Sequence, residues 1–484
     1  MSVRSRWHRA ASWTGERFSI ILFCFACLLV VLGYGVIIGQ YEVFPYRLIA
    51  DAYRTAKSLR ESWARDARSD FTYTEIPADD VAKHWVMPQS AVDDDASFLF
   101  TGGRHRYLQF CPEFGCVAVI LGRDGHLIHA YPYRPYELAE KRIVEMPFEQ
   151  NFFDAAETIN GYGIEPLPNG DLIAVFGFEN AFPYGGGIAR LDKDGHVLWY
   201  RQDYSNHWPG ITAEGDILAI SYELEYSTIR YSVAGKANRS IGCPGGFYKD
   251  VIRVLDPNGA VKDEISVFDA LIKSPYRSHL VLRASIDSPD AQLCDPLHVN
   301  SVIPVGPALG SKLSGVSSDD LLISVRNISA VIIVGRNDHQ IKYLFKGTFL
   351  SQHSAKPLPD GRIVLFDNLG ASEEAGPSRV LVFDPVTKQE TTFFPNAATP
   401  KHYETFSDIL GAIELSRDGA NLLVAFGVNG QGYEIRLSDG AILTTFDNVH
   451  DLRPVSPGEE RAEMAARIDQ FGIYYVYPDL LSNF

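Results

Sequence analysis

Three histidines stand at comparable places along this chain. They are His207 in Asn-His-Trp-Pro-Gly, His298 in Asp-Pro-Leu-His-Val-Asn-Ser and His353 in Ser-Gln-His-Ser-Ala-Lys-Pro. Each opens a stretch that reads as strand, turn, strand. Imidazole changes charge near neutrality, and its neutral form serves as a nucleophile or a base. The chain has thirteen histidines, and scatter would not usually put three of them at equivalent starts. Two readings stay open from spacing alone. The histidines satisfy backbone groups in a polar channel, or they bind, attack and pass on a charged group.

The second reading needs a scaffold that brings three distant starts together. From about residue 101, short Val, Ile, Leu, Phe and Tyr runs alternate with Asp-Gly and Asn-Gly turn signals. GIEPLPNGDLIAVFG followed by GGGIARLDKDGHVLWYR is one unit; QHSAKPLPDGRIVLFDN followed by RVLVFDPVTKQETTFF is another. Six such units can be counted, the first weak and one stretched by an insertion near 222–250. Four strands per unit, recurring about every 40–55 residues, is the grammar of a propeller. A sandwich or two stacked barrels would not require it. The predicted class is therefore all-β: a six-bladed β-propeller over 101–484, closed by GIYYVYP at 472–478. In that fold the first strand of each blade lines the central channel, so the three histidines face one axis.

The N-terminus reads differently. Residues 1–17 carry Arg4, Arg6, Arg9 and Arg17, and Phe18 to Gly39 is a charge-free run. About 20 apolar residues cross a bilayer core, and preceding arginines favour a cytoplasmic start. The expectation is an uncleaved transmembrane helix over 18–39, not a signal peptide. Residues 40–100 then form a helical stalk (41–70) and a linker (71–100), with the rest beyond the membrane. Cys111 and Cys116 flank Pro-Glu-Phe-Gly and can close as a disulfide in an oxidising compartment; Cys243 and Cys294 could form a second. The net charge of −16 disfavours nucleic acid as a partner. No zinc-ligand pairs, Walker loop or dinucleotide fingerprint are present, so neither metal nor cofactor is expected.

Two motifs resemble the arylsulfate sulfotransferase family. DPLHVNSVIPV followed by DDLLISVRNISAVIIV is similar to that family's His-x-Asn-Ser and Ser-x-Arg blade. FLSQHSAKPLPDGRIVLFDNLG is similar to its Gln-His-x-Ala and Phe-Asp-Asn-Gly blade, with Leu369 intervening before Gly370. The resemblance covers roughly 160–450 and implies a six-bladed propeller. It implies ping-pong transfer of a sulfuryl group from an aryl sulfate to a phenol, without a nucleotide donor. Carried over by position, His353 matches the nucleophile; His298, Asn300 and Arg326 match groups that bind the sulfuryl oxygens. His207 matches a further channel histidine, although Trp208 and Pro209 follow it. The family setting implies an inner membrane with the body in the periplasm.

The chemistry suits these residue types. A guanidinium presents a rigid fork to two oxygens, and His and Asn add directional donors. Phe182, Tyr184, Trp208, Tyr222 and Tyr226 are candidates to hold an aryl ring, or ordinary core aromatics. Asp295 could orient His298 or shape its loop. Asp367 and Asn368 read as strand-end and turn residues, with a supporting role behind the site as the lesser alternative, and Asn327 as a strand or turn residue. Strand alternation puts Lys356 on the face opposite His353. An inactive propeller acting as a binding or scaffolding subunit of a membrane complex is the alternative function. A quinoprotein-like dehydrogenase lacks its calcium and tryptophan signatures here. A homo-oligomer or a membrane-complex partner is compatible with the anchor.

Overall fold

Val, Ile, Leu and Phe runs bounded by Asp-Gly turns become strands buried on both faces. Cys116–Leu121, Leu321–Val325, Ile363–Asp367 and Asn421–Phe426 are buried along their whole length. The computed structural model describes residues 19–35, 71–74, 85–90, 95–102, 110–112, 114–145, 159–178, 185–225, 229–233, 236–241, 247–280, 295–369, 376–397, 399–400, 405–407, 409–427, 430–451, 465–468 and 472–481. The chain divides into two compact units, Met1–Arg68 and Ser69–Phe484.

In the first unit, residues 19–35 form a helix. Its apolar side chains are exposed, Phe23, Val30 and Val31 by about 70% each. Among the described residues no helix is long and apolar enough to cross a membrane. Of the expected span over 18–39, the described residues give the helix over 19–35, which by itself is not long and apolar enough for a span; residues 18 and 36–39 lie outside the described residues. The predicted stalk at 41–70 lies outside the described residues.

The second unit is all-β and propeller-like. Six strands lead its repeats: β1 (Ile159–Pro166), β2 (Asn206–Ile211), β3 (Val299–Pro304), β4 (His353–Pro357), β5 (Ala412–Leu415) and β6 (Gly472–Val476). Each begins a run of antiparallel strands. These leading strands touch in chain order, from β1 to β6, and Ser97–Thr101, beside β6, touches β1. The apolar layers lie between neighbouring units. Leu218, Ile252 and Val254 pack with Leu321, Ile323 and Ile332; Val364, Phe366 and Val380 pack with Leu422, Val424 and Phe426.

Six separate blades are not what the hydrogen bonding gives. Trp208 of β2 pairs in parallel with Ser301 of β3, and this joins two four-stranded runs into one eight-stranded sheet. The cause is close approach at a glycine. A Cβ on Gly210 would lie 2.4 Å from the Val302 carbonyl oxygen. The other large sheets have four or five strands.

The segment read as a linker also changes. Met87–Pro88 adds a fifth strand beside Ile442–Asp447, and Ser97–Thr101 is a fully buried strand between β6 and Cys116–Leu121. Trp85, Phe98 and Phe100 are core residues. The body therefore begins well before residue 101. GIYYVYP does close the chain ends together: β6 pairs antiparallel with Ser97–Thr101, matching Phe98 with Tyr475 and Phe100 with Ile473.

Candidate active site

Three of the leading strands deliver the histidines to one place. The His207 and His298 ring centroids are 4.9 Å apart, edge to face, and those of His207 and His353 are 6.3 Å apart. His353 is buried, whereas His207 and the His298 side chain keep some exposure. Both His207 and His298 sit at φ +54°. Left-handed backbone is uncommon for a side chain with a Cβ and clusters where geometry is functionally constrained. It turns each imidazole as its strand begins. Gly163 of β1 admits His207: a Cβ there would lie 2.1 Å from the His207 carbonyl oxygen.

Each imidazole has an oxygen at Nδ1. The Asn368 Oδ1 is 2.7 Å from His353 Nδ1, while the Asn368 amide donates to the Ser407 and Leu410 carbonyls. Those two donations fix which end of the amide faces the ring. His353 Nδ1 must therefore carry the hydrogen, and Nε2 keeps the lone pair. Asn206 does the same for His207: its amide donates to the Tyr204 carbonyl and its Oδ1 meets the ring Nδ1. At His298 the partner is charged. The Asp295 carboxylate accepts from the His298 backbone N–H at 3.1 Å and meets Nδ1 with its other oxygen. Asp295, open from the sequence between orienting His298 and shaping its loop, does both. Nothing in the sequence singles out Asn206, and Asn368 reads there chiefly as a strand-end residue. The only signal was an Asn or Asp a few positions away, a composition common to any turn.

Arg326 follows the strand Leu321–Val325 on a single 3-10 turn. Its backbone N–H donates to the His298 carbonyl at 3.0 Å. Its guanidinium donates to Asn327 Oδ1, and Asn327 donates to the Asp295 carbonyl at 2.6 Å. Asn327 thus ties the guanidinium to the loop that carries Asp295. Burial, the Arg326 charge and His298 hold the His353 imidazole down to about 3, against the Asn368 hydrogen bond. Burial, the two other histidines and Arg326 hold His207 well below its ordinary value. Both rings are neutral at pH 7. Asn300 is fully buried. One of its amide hydrogens goes to the Gln352 carbonyl at 2.8 Å, and its Oδ1 has no donor among the described residues.

Trp208 lies edge-on to His353, with centroids 6.5 Å apart, and 6.1 Å from His207. Tyr222 is instead buried against Tyr248. Phe182, Tyr184 and Tyr226 lie outside the described residues. Lys356 is engaged with Glu414 of β5, and half-buried Glu165 beside that pair is pushed up to about 8 by desolvation and by Glu414. Among the described residues no cluster of His, Cys, Asp or Glu could hold a metal ion. Cys111 and Cys116 form a disulfide, with Cα atoms 5.5 Å apart; Cys243 and Cys294 lie outside the described residues.

A neutral imidazole beside a guanidinium has the chemistry to attack an anionic centre. The arylsulfotransferase family model matches residues 163–448, more than half of the chain and all five candidate residues. The chain belongs to the arylsulfotransferase family. No curated protein matches it. Solved structures similar to it include a protein of unknown function from Bacteroides caccae, 12% identical over 79% of this chain and 99% of that one, with a TM-score of 0.42. A virginiamycin B lyase from Staphylococcus aureus is 11% identical over 64% and 94%, with a TM-score of 0.32. A nidogen/laminin complex is 10% identical over 78% and 98%, with a TM-score of 0.39. The assignment to the arylsulfotransferases rests on the family match and not on these structures.

Proposed function

We propose that this protein is an arylsulfate sulfotransferase that works through a sulfated His353. The observation that carries the reading is the fixed tautomer of His353, with Arg326 close enough to depress its protonation. The His353 Nε2 lone pair attacks sulfur. An N–S bond forms, the S–O(aryl) bond breaks, and the phenolate leaves with the electron pair. Nδ1–H stays on Asn368 throughout. An acceptor phenol then attacks the same sulfur, the N–S bond breaks, and Nε2 recovers its lone pair. Arg326 and His298 face the sulfuryl oxygens, whose charge grows in the in-line displacement. The Asn300 amide is a further donor to them. His207, neutral at rest, takes the acceptor's proton. Trp208 offers an edge or face to the aryl ring. No cofactor enters the scheme.

The two halves of the eight-stranded sheet are, in this reading, two blades of a six-bladed ring. Their internal order is the same antiparallel run of four. The helix at 19–35, with its exposed apolar surface, belongs to an inner-membrane anchor, with the body in the periplasm. The charge-free Phe18–Gly39 run and the arginines before it support that orientation. Carbonate extraction and protease protection of spheroplasts test it: release from the membrane or a cytoplasmic body contradicts it.

The enzymatic test is transfer. With 4-nitrophenyl sulfate as donor, nitrophenol release should accelerate on adding a phenol acceptor and need no nucleotide. Folded protein that releases no phenol from any of several aryl sulfates contradicts the activity.

A further inference from the structure

His298 has a second acidic neighbour that the transfer scheme does not use. Asp250 lies on the strand Phe247–Leu255, in the run led by β2, and reaches across to the start of β3. It is fully buried, as is Asp295. Its Oδ1 accepts from the Val299 backbone N–H, next to His298, at 2.7 Å. Asp250 therefore grips the left-handed turn that aims the His298 ring. Its Oδ2 has no hydrogen-bond partner among the described residues.

Among the described residues no cation pairs with Asp250. The cations of its own strand are engaged elsewhere. Lys249 pairs with Asp269 and Glu223, and Arg253 with Glu264, Asp203 and Ser221. The facing strand places Tyr222 opposite Asp250. From the β3 side come His298, already held by Asp295, and that second carboxylate. Two buried carboxyl groups side by side do not both ionise readily. Asp295 has the imidazole as partner, so the proton falls to Asp250.

We propose that Asp250 is a positioning residue for His298, an uncharged carboxyl that holds the histidine's turn while Asp295 engages the ring. Burial and the Asp295 charge push the Asp250 carboxyl well above the usual carboxylate range, against the Val299 and His298 N–H groups. The catalytic half of the inference rests on the sulfotransferase reading; the protonation half does not.

The sign of the linkage follows. A carboxyl with a raised folded-state value binds its proton more tightly when folded, so its contribution is present at low pH and is lost as pH rises from about 4 toward that value. Asn at 250 does not titrate. In the full-length protein, the folded-to-unfolded ratio of Asp250→Asn relative to wild type should therefore rise with pH above about 4, by up to about tenfold per pH unit. Asp295→Asn removes the neighbouring charge and should reduce the wild-type slope. In aryl sulfate turnover, Asp250→Asn should keep kcat within about threefold, and Asp250→Ala should lose about tenfold or more with little change in KM, because the buried Val299 N–H is left without its acceptor. A pH-independent stability difference for Asp250→Asn overturns the uncharged carboxyl. Equal kcat in the Asn and Ala variants overturns the positioning role. If no aryl sulfate is turned over, the sulfotransferase reading fails, and the pH dependence of stability still decides the protonation of Asp250.

Discussion

At the scale of single residues, the site depends on which nitrogen carries the proton. Asn368 settles this for His353 because its own amide hydrogens are committed to Ser407 and Leu410. Asn368→Ala should remove about 1.5 kcal/mol of ring orientation, about a tenfold loss in kcat with KM nearly unchanged. Steady-state kinetics on 4-nitrophenyl sulfate measure it, and an unchanged kcat argues against the assignment. The pH response follows from the same site. With His353 held down to about 3, its neutral, nucleophilic form persists as pH falls from 7 to 5. The rate of His353 sulfation in single-turnover mixing should then stay nearly flat across that range. A decline centred on 6.5 would mean an ordinary, solvated histidine. The histidines were legible in the sequence because a polar residue at the start of an apolar strand stands out. Their partners were not. Asn206 and Asn368 look like any turn asparagine, and Asp250 comes from a neighbouring run of strands.

At the scale of elements, close approach between leading strands positions the rings. Gly163 leaves room for the His207 carbonyl, and Gly210 for that of Val302. Gly163→Ala should force β1 and β2 apart, at a cost of about 1–3 kcal/mol, and lower activity by displacing His207. Thermal unfolding and turnover of the one variant measure both; wild-type values in both would contradict the packing account. The disulfide acts more locally. Cys111 and Cys116 are five positions apart, and closing so short a loop stabilises by about 2 kcal/mol in the chain-entropy view. The Cys111→Ser, Cys116→Ser double variant should lower stability by that order in denaturant unfolding, without loss of transfer. Most hairpins could be read from Asp-Gly and Asn-Gly turns. The strands at 87–88 and 97–101 could not, because they are short and two of their partners, Ile442–Asp447 and Gly472–Val476, lie more than 350 positions away. No local periodicity reports a pairing at that distance.

At the scale of the whole molecule, the chain ends hold the body shut. The strand Ser97–Thr101 has β6 on one side and Cys116–Leu121 on the other. Deleting residues 472–484 exposes a buried strand edge and strips Ile473, Tyr475 and Val476 from the core. Such a truncation should unfold at markedly lower temperature and self-associate; scanning calorimetry and light scattering check it. The repeat grammar made the all-β, propeller-like body legible from sequence. It did not show that β2 and β3 pair across a glycine and merge two units, because that depends on backbone distance and not on pattern. The central claim joins these scales: three strands far apart in sequence bring one neutral imidazole to bear on sulfur. The most direct measurement is intact and peptide mass spectrometry after brief incubation with an aryl sulfate and no acceptor. One sulfuryl group on His353, lost on adding a phenol and absent in His353→Ala, is the predicted result. A folded protein that releases phenol with no adduct, or carries the group on another residue, would contradict it.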